Sequence, residues 1–309
     1  MSSKIKKLVD EARDSENPEL DLVDKGIGNI LEIPGFASLS NLSKLVLAHN
    51  KITSVPPSIA NFLNLETIIL FNNHIEELPT TLSSMPKLKI LNVGMNRLNS
   101  LPRGFGACPV LEVLDVTYNN LSESSLPANF FCLDTLRALY VGDNDFEHMP
   151  PEIGRLKNLQ ILVLRDNDLI DLPKELGDLP RLRELHVQGN RLTVLPPELG
   201  SLDLVGSKQV FKAGSNPWVT PITEQFQIGV SHVFDYIRSD TYKYLYGRHI
   251  SAGASPPQKT NDKSKKISRS QKKTNAIVAN SPRVIAAAAA AVVVVDVDQR
   301  GSVVSVSDL

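Results

Sequence analysis

Seven asparagines set a period through the middle of this chain: Asn50, Asn73, Asn96, Asn119, Asn144, Asn167 and Asn190, at steps of 23, 23, 23, 25, 23 and 23 residues. The residues around them recur too. Leu42-x-x-Leu45-x-Leu47-x-x-Asn50-x-Ile52 returns as Leu88-x-x-Leu91-x-Val93-x-x-Asn96-x-Leu98 and as Leu182-x-x-Leu185-x-Val187-x-x-Asn190-x-Leu192. A unit this short cannot bury its own apolar face. Copies stacked side by side can, so the period demands a solenoid in which each repeat packs on its neighbours.

Leucine, asparagine and leucine at these offsets form the leucine-rich-repeat pattern. It predicts an α/β solenoid, a horseshoe whose concave side is a parallel sheet with one short strand per repeat. Val55-Pro56, Leu78-Pro79, Leu101-Pro102, Leu126-Pro127, Met149-Pro150, Leu172-Pro173 and Leu195-Pro196 mark where the chain leaves the sheet for the convex side. Proline has no N–H for a strand ladder and pre-sets its own φ. Ser122-Glu-Ser-Ser125 lengthens one such turn and accounts for the single 25-residue step. Each asparagine sits where the strand turns inward and buried backbone groups lose their partners. Its side chain offers donors and an acceptor together, so all seven are structural residues.

The array divides the chain into four parts. Residues 1–41 form an N-terminal cap with a degenerate first repeat, in which Ile5, Leu8, Val9 and Ala12 share a helical face and Lys25 stands at the asparagine position. Residues 42–200 hold seven repeats. Residues 201–250 form a degenerate last repeat, with Phe211 and Ala213 in core slots, and a C-terminal cap helix opened by Thr220 as N-cap and Pro221 at the first position. Trp218 is expected to be a structural anchor beneath that cap. Residues 251–309 are rich in Ser, Pro, Lys, Asn and Gln before an Ala/Val run, and are expected to be a disordered tail.

Counting back from each asparagine reads the displayed face, because strand side chains alternate. Six before stand Lys44, Thr67, Ile90, Val113, Ala138, Ile161 and Glu184. Four before stand Val46, Ile69, Asn92, Asp115, Tyr140, Val163 and His186. Two before stand Ala48, Phe71, Gly94, Thr117, Gly142, Arg165 and Gln188. The preceding residue adds a rim of His49, Asn72, Met95, Tyr118, Asp143, Asp166 and Gly189. Val46, Ile69, Phe71, Ile90, Val113, Tyr140, Ile161 and Val163 are expected to face solvent, and an apolar patch of that kind implies a partner. β-branched residues also suit strands for their own sake. Aromatic and charged residues concentrated mid-array favour binding, so the candidate partner contacts are Phe71, Asn92, Asp115, Tyr118, Tyr140, Asp143, Val163, Arg165, Asp166 and His186.

Other chemistry finds little footing. The histidines have no metal-ligand spacing with Cys108 and Cys132. Asp143-Asn-Asp145 and Asp166-Asn-Asp168 lack the remaining ligands of a calcium loop. No phosphate loop, nucleophile elbow or kinase signature occurs, so neither a cofactor nor an enzyme activity is expected. Residues 251–309 carry nine Lys/Arg and four Asp/Glu, which leaves the body at -6 and poorly suited to nucleic acid. Two cysteines away from the array ends predict a reduced, cytoplasmic protein. No apolar run predicts a signal peptide or a membrane span. Lys259 to Lys273 holds seven basic residues and is read as a solvated stretch, with nuclear entry or an anionic-lipid patch as the alternatives. The final Ser307-Asp308-Leu309 loosely fits a PDZ-domain ligand.

Longer stretches resemble one known family. Gly94-Met-Asn-Arg-Leu98, Leu101-Pro-Arg-Gly-Phe-Gly106, Leu111-Glu-Val-Leu-Asp115, Thr117-Tyr-Asn-Asn-Leu-Ser122, Arg165-Asp-Asn-Asp-Leu-Ile170, Asn216-Pro-Trp-Val-Thr-Pro221 and Tyr242-Lys-Tyr-Leu-Tyr-Gly-Arg-His249 carry the likeness. They resemble the intracellular Ras-group leucine-rich-repeat family over about residues 1–270. The resemblance implies a monomeric, non-enzymatic adaptor that binds a LIM domain of a PINCH-type adaptor. That partner would bring it, indirectly, to integrin-linked kinase and parvin at cell–matrix adhesions, and to Ras/MAP-kinase signalling and actin organisation. Asp115, Tyr140 and Arg165 are the chief positions to which partner contact carries over. The alternative within the Ras-group repeats is a regulatory subunit that recruits a phosphatase or a small GTPase.

Overall fold

The structure, a computed structural model, describes residues 2–16, 18–253 and 255–259. Residues 1–257 form one compact unit. The basic stretch beyond Lys259, the Ala/Val run and the terminal Ser-Asp-Leu lie outside the described residues.

Nine three-residue strands pair in chain order into one parallel sheet: β1 (Glu19–Asp21), β2 (Lys44–Val46), β3 (Thr67–Ile69), β4 (Ile90–Asn92), β5 (Val113–Asp115), β6 (Ala138–Tyr140), β7 (Ile161–Val163), β8 (Glu184–His186) and β9 (Val210–Lys212). The register equals the repeat step, so that Leu45 lies opposite Ile68 and Ile68 opposite Leu91. Equivalent positions therefore stack into columns. Leucines such as Leu45, Leu47, Leu91 and Leu185 are fully buried between the sheet and the turn layer. The turns after the prolines wind as short 3₁₀ segments, for example Pro57–Asn61, Thr80–Ser84 and Lys174–Asp178. In the longer step Glu123–Ser125 does the same, and Ser125 Oγ accepts from Ser122 N at 2.9 Å.

The asparagines hold successive repeats together in the expected way. Asn73 Nδ2 donates to Leu47 O (2.9 Å) and Leu70 O (3.0 Å), and its Oδ1 accepts from Ile52 N (3.0 Å). Asn119 does the same for Val93 O, Val116 O and Leu98 N. Asn216 extends the series into the degenerate repeat by accepting from Leu192 N at 3.2 Å. Lys25 cannot accept, and its Nζ donates to Val23 O at 3.0 Å.

One local feature escaped the sequence reading. The residue before each ladder position takes a left-handed backbone: His49, Asn72, Met95, Tyr118, Asp143, Asp166 and Ser215 have φ between 52° and 57°, and Gly189 has 71°. For residues other than glycine this costs about 1–2 kcal/mol each. The hydrogen bonds of the adjoining asparagine hold the turn against that cost.

Both ends are capped. Helix α1 (Ser2–Arg13) buries Ile5, Val9 and Ala12, with Leu8 half-buried against the core. The C-terminal cap differs from the expected single helix. It consists of α2 (Thr220–Ile228), α3 (Val230–Arg238) and α4 (Asp240–Ser251). Gly229 separates the first two at φ 155°, a backbone that side chains rarely adopt. Ser239 starts the third by accepting from Tyr242 N. Val219, not Thr220, is the N-cap of α2. Pro221 lacks the N–H that a first turn leaves unpaired in any case. Phe211 and Ala213 fill core slots, and Phe211 meets Phe226 and Phe234 at 6.3 and 5.2 Å. Trp218 donates its indole N–H to Ala213 O at 2.9 Å, with its ring 5.6 Å from Phe226.

Candidate protein-binding face

The three columns lie on the face of the sheet away from the main core, and their exposure corrects the sequence expectation. Val46, Ile69, Phe71, Ile90, Val113, Ile161 and Val163 are all buried, none more than 9% exposed. They stand outside the core cluster between sheet and turns. Parallel strands sit about 4.8 Å apart, so medium-sized side chains in one column cover each other's flanks. The face is a tightly closed apolar floor and not a set of projecting anchors. Tyr140, by contrast, is half-buried.

A polar constellation crosses this floor at β4 to β7. Asp115 Oδ1 accepts from Thr117 N at 2.9 Å, and its Oδ2 accepts from Asn92 Nδ2 at 3.0 Å. Burial pushes the Asp115 carboxyl above its ordinary pKa, against the opposing pull of Thr117, Arg165 and Asn92. Arg165 Nη1 lies 2.6 Å from Asp143 Oδ2 and 2.7 Å from Asp166 Oδ2. The Arg165 guanidinium also stands over the Tyr118 ring, 5.6 Å from its centroid. Burial opposes the Arg165 charge, but Asp143, Tyr118 and Asp166 outweigh it and raise the pKa. Asp143 and Asp166 thus answer an arginine, which accounts for the first aspartate of each calcium-like triplet. Among the described residues no group of three or more His, Cys, Asp or Glu could hold a metal ion.

The other candidates flank this centre. Tyr140 pairs in register with Asp115 on one side and Val163 on the other. Burial, with Glu184 and Asp115 nearby, raises its phenol pKa. His186 Nε2 lies 2.8 Å from Glu184 Oε1, and the His186 contact is the main reason the Glu184 carboxyl titrates low. Phe71 lies toward the N-terminal end, edge-on to His49 at 5.6 Å. The constellation brings together Asn92, Asp115, Tyr118, Asp143, Arg165 and Asp166, whereas Phe71 lies at its N-terminal border, against Gly94 and His49. Gly142 was passed over in the sequence. A Cβ there would come within 3.0 Å of Arg165 Cγ and 3.2 Å of Arg165 O. Glycine in that column leaves the space in which Arg165 lies down across the sheet. The signal lies in the column itself, where Gly142 stands between Thr117 and Arg165.

Leucine-rich-repeat family models match residues 41–62 ("Leucine Rich Repeat"), 63–121 ("Leucine rich repeat") and 105–213 ("Leucine-rich repeat region"). The chain is 73% identical to Ras suppressor protein 1 of Homo sapiens over 269 residues, which are 87% of this chain and 97% of the relative. The Bos taurus and Mus musculus proteins of that name match over the same shares at 71% and 68% identity. The chain belongs to the Ras suppressor protein 1 family. Its nine-stranded sheet and intervening turns are a leucine-rich-repeat architecture. Solved repeat structures share the fold more distantly. A TDR receptor aligns at TM-score 0.54 and 24% identity, over 71% of this chain and 42% of the receptor. The plant peptide hormone receptor RGFR1 in complex with RGF2 aligns at TM-score 0.51 and 28% identity, over 60% and 30%. Repeat fold and family together make this Ras suppressor protein 1 relative a protein-interaction scaffold.

Proposed function

We propose that the sheet face holds a LIM domain of a PINCH-type adaptor. The chain would then connect the integrin-linked kinase and parvin assembly at cell–matrix adhesions to Ras/MAP-kinase signalling and actin organisation. The observation that carries the reading is the group formed by Asp115, Tyr118, Tyr140, Asp143, Arg165 and Asp166. A floor of buried apolar residues with a central tyrosine and arginine has the makeup of an interface hot spot. Both signs of charge are present at that centre, which gives a folded partner orientation as well as area. In this reading the chain performs no catalysis and acts by bringing partners together, in the cytoplasm and as a monomer.

The test is capture of purified LIM domains by the wild-type chain and by Tyr140→Ala and Arg165→Ala. Each substitution is expected to weaken capture by about 30-fold, the scale of a hot-spot residue at ~2 kcal/mol, with folding retained. Unchanged capture by both variants would move the site off this face. Capture of a phosphatase catalytic subunit or a small GTPase in place of LIM domains would support the alternative reading, a regulatory subunit.

A further inference from the structure

The residue just before each strand forms a row of its own. Its amides donate in register from repeat to repeat: Glu66 N to Ser43 O, Lys89 N to Glu66 O, Glu112 N to Lys89 O, Arg137 N to Glu112 O, Gln160 N to Arg137 O and Arg183 N to Gln160 O, all between 2.8 and 2.9 Å. Neighbouring side chains are therefore held one strand spacing apart, about 4.8 Å. Charges alternate along the first part of the row. Lys89 Nζ meets Glu66 Oε2 at 2.8 Å, and Arg137 Nε lies 3.7 Å from Glu112 Oε2.

The alternation then fails. Gln160 stands where an acid would continue it, and Arg183 follows. Beyond Arg183 the row ends, because Gln209 N turns back to Gly206 O and Gln209 Oε1 accepts from Lys208 N. Arg183 Nη2 is buried and has no hydrogen-bond partner among the described residues. A guanidinium nitrogen withdrawn from water without an acceptor is a standing penalty, which the flexible, half-exposed arginine sheds by turning outward to an incoming acceptor.

We propose that Arg137, Gln160 and Arg183 form a carboxylate-binding edge that receives an Asp or Glu side chain of the protein docked on the adjoining face. This rests on the reading of that face as a partner site, which the row borders directly: Arg137, Gln160 and Arg183 precede Ala138, Ile161 and Glu184 of β6, β7 and β8. A planar carboxylate fits forked guanidinium donors. Glu112 and Glu184 flank the edge, and their charges penalise a phosphate dianion more than a single carboxylate.

The test uses the full chain, labelled with ¹⁵N and titrated with sodium acetate, with sodium chloride at equal ionic strength and with inorganic phosphate. Arg183 side-chain resonances are expected to shift with acetate beyond the chloride response. Gln160→Glu supplies the missing acid internally, keeps both arginines, and should abolish that shift while raising the unfolding temperature. Gln160→Glu and Arg183→Gln should each weaken LIM-domain binding by about tenfold and flatten its salt dependence. An acetate response without any LIM-domain binding would sink the proposed partner and keep the edge. A response to phosphate above that to acetate overturns the carboxylate assignment. Acetate acting no more than chloride, with LIM-domain affinity unchanged in both variants, overturns the edge.

Discussion

Asp115 shows how much of one residue's chemistry comes from residues far away in sequence. Its carboxyl pKa is raised because burial disfavours the ionised form, while Thr117, Arg165 and Asn92 hold the rise in check. An acid whose pKa rises on folding weakens the folded state once it ionises. This contribution to stability therefore falls as pH climbs from the ordinary Asp range through the raised value, and is constant above it. Removing Arg165 takes away one of the restraints. Arg165→Ala should move the Asp115 titration midpoint further up, as read from the ¹³C carboxyl shift of Asp115 against pH. No movement, or movement down, would mean the two side chains do not sense each other. Asp115, Tyr140 and Arg165 were legible in the sequence by counting back from the asparagines. The division of the Arg165 charge between Asp143 and Asp166 was not, because it depends on how a long side chain reaches back into the preceding repeat.

At the scale of the element, steps of 23 residues through most of the array set strand, register and turn together, since stacking leaves one way to align like units. The turns gain their hold from burial of the ladder residue. Asn144 is 1% exposed and serves Val116 O, Val141 O and Leu121 N, whereas Asn96 is only half-buried in the same role. Asn144→Ala should cost about 2–3 kcal/mol and Asn96→Ala nearer ~1 kcal/mol, measured as shifts of the urea unfolding midpoint. Equal losses would argue against burial as the source. Two element-level features stayed hidden in the sequence. The C-terminal cap keeps its apolar spacing from Ile222 to Ile237, so periodicity alone passes over the break at Gly229. The left-handed rim was masked because His49, Met95 and Tyr118 occupy it beside the more usual Asp, Asn and Gly. There the neighbouring hydrogen bonds, and not residue preference, decide the backbone.

Across the whole repeat unit, support runs in one direction. The side chain of every ladder asparagine reaches to the repeat made before it: Asn73 closes the turn at Ile52, Asn96 that at Ile75, and Asn119 that at Leu98. The repeats overlap like roof shingles, each fastened by the one laid next. A chain emerging from the ribosome thus always has one unfinished repeat at its growing end, and the repeat before it locks only when the next asparagine arrives. Chains cut after successive repeats should show this as stepwise hydrogen-exchange protection. The Ile52 amide should become protected in chains that reach Asn73, the Ile75 amide in those that reach Asn96 and the Leu98 amide in those that reach Asn119. Protection of all three at a single length would mean that the unit assembles at once. If it comes in steps, synthesis hands the molecule its folding order, one repeat behind the last residue made.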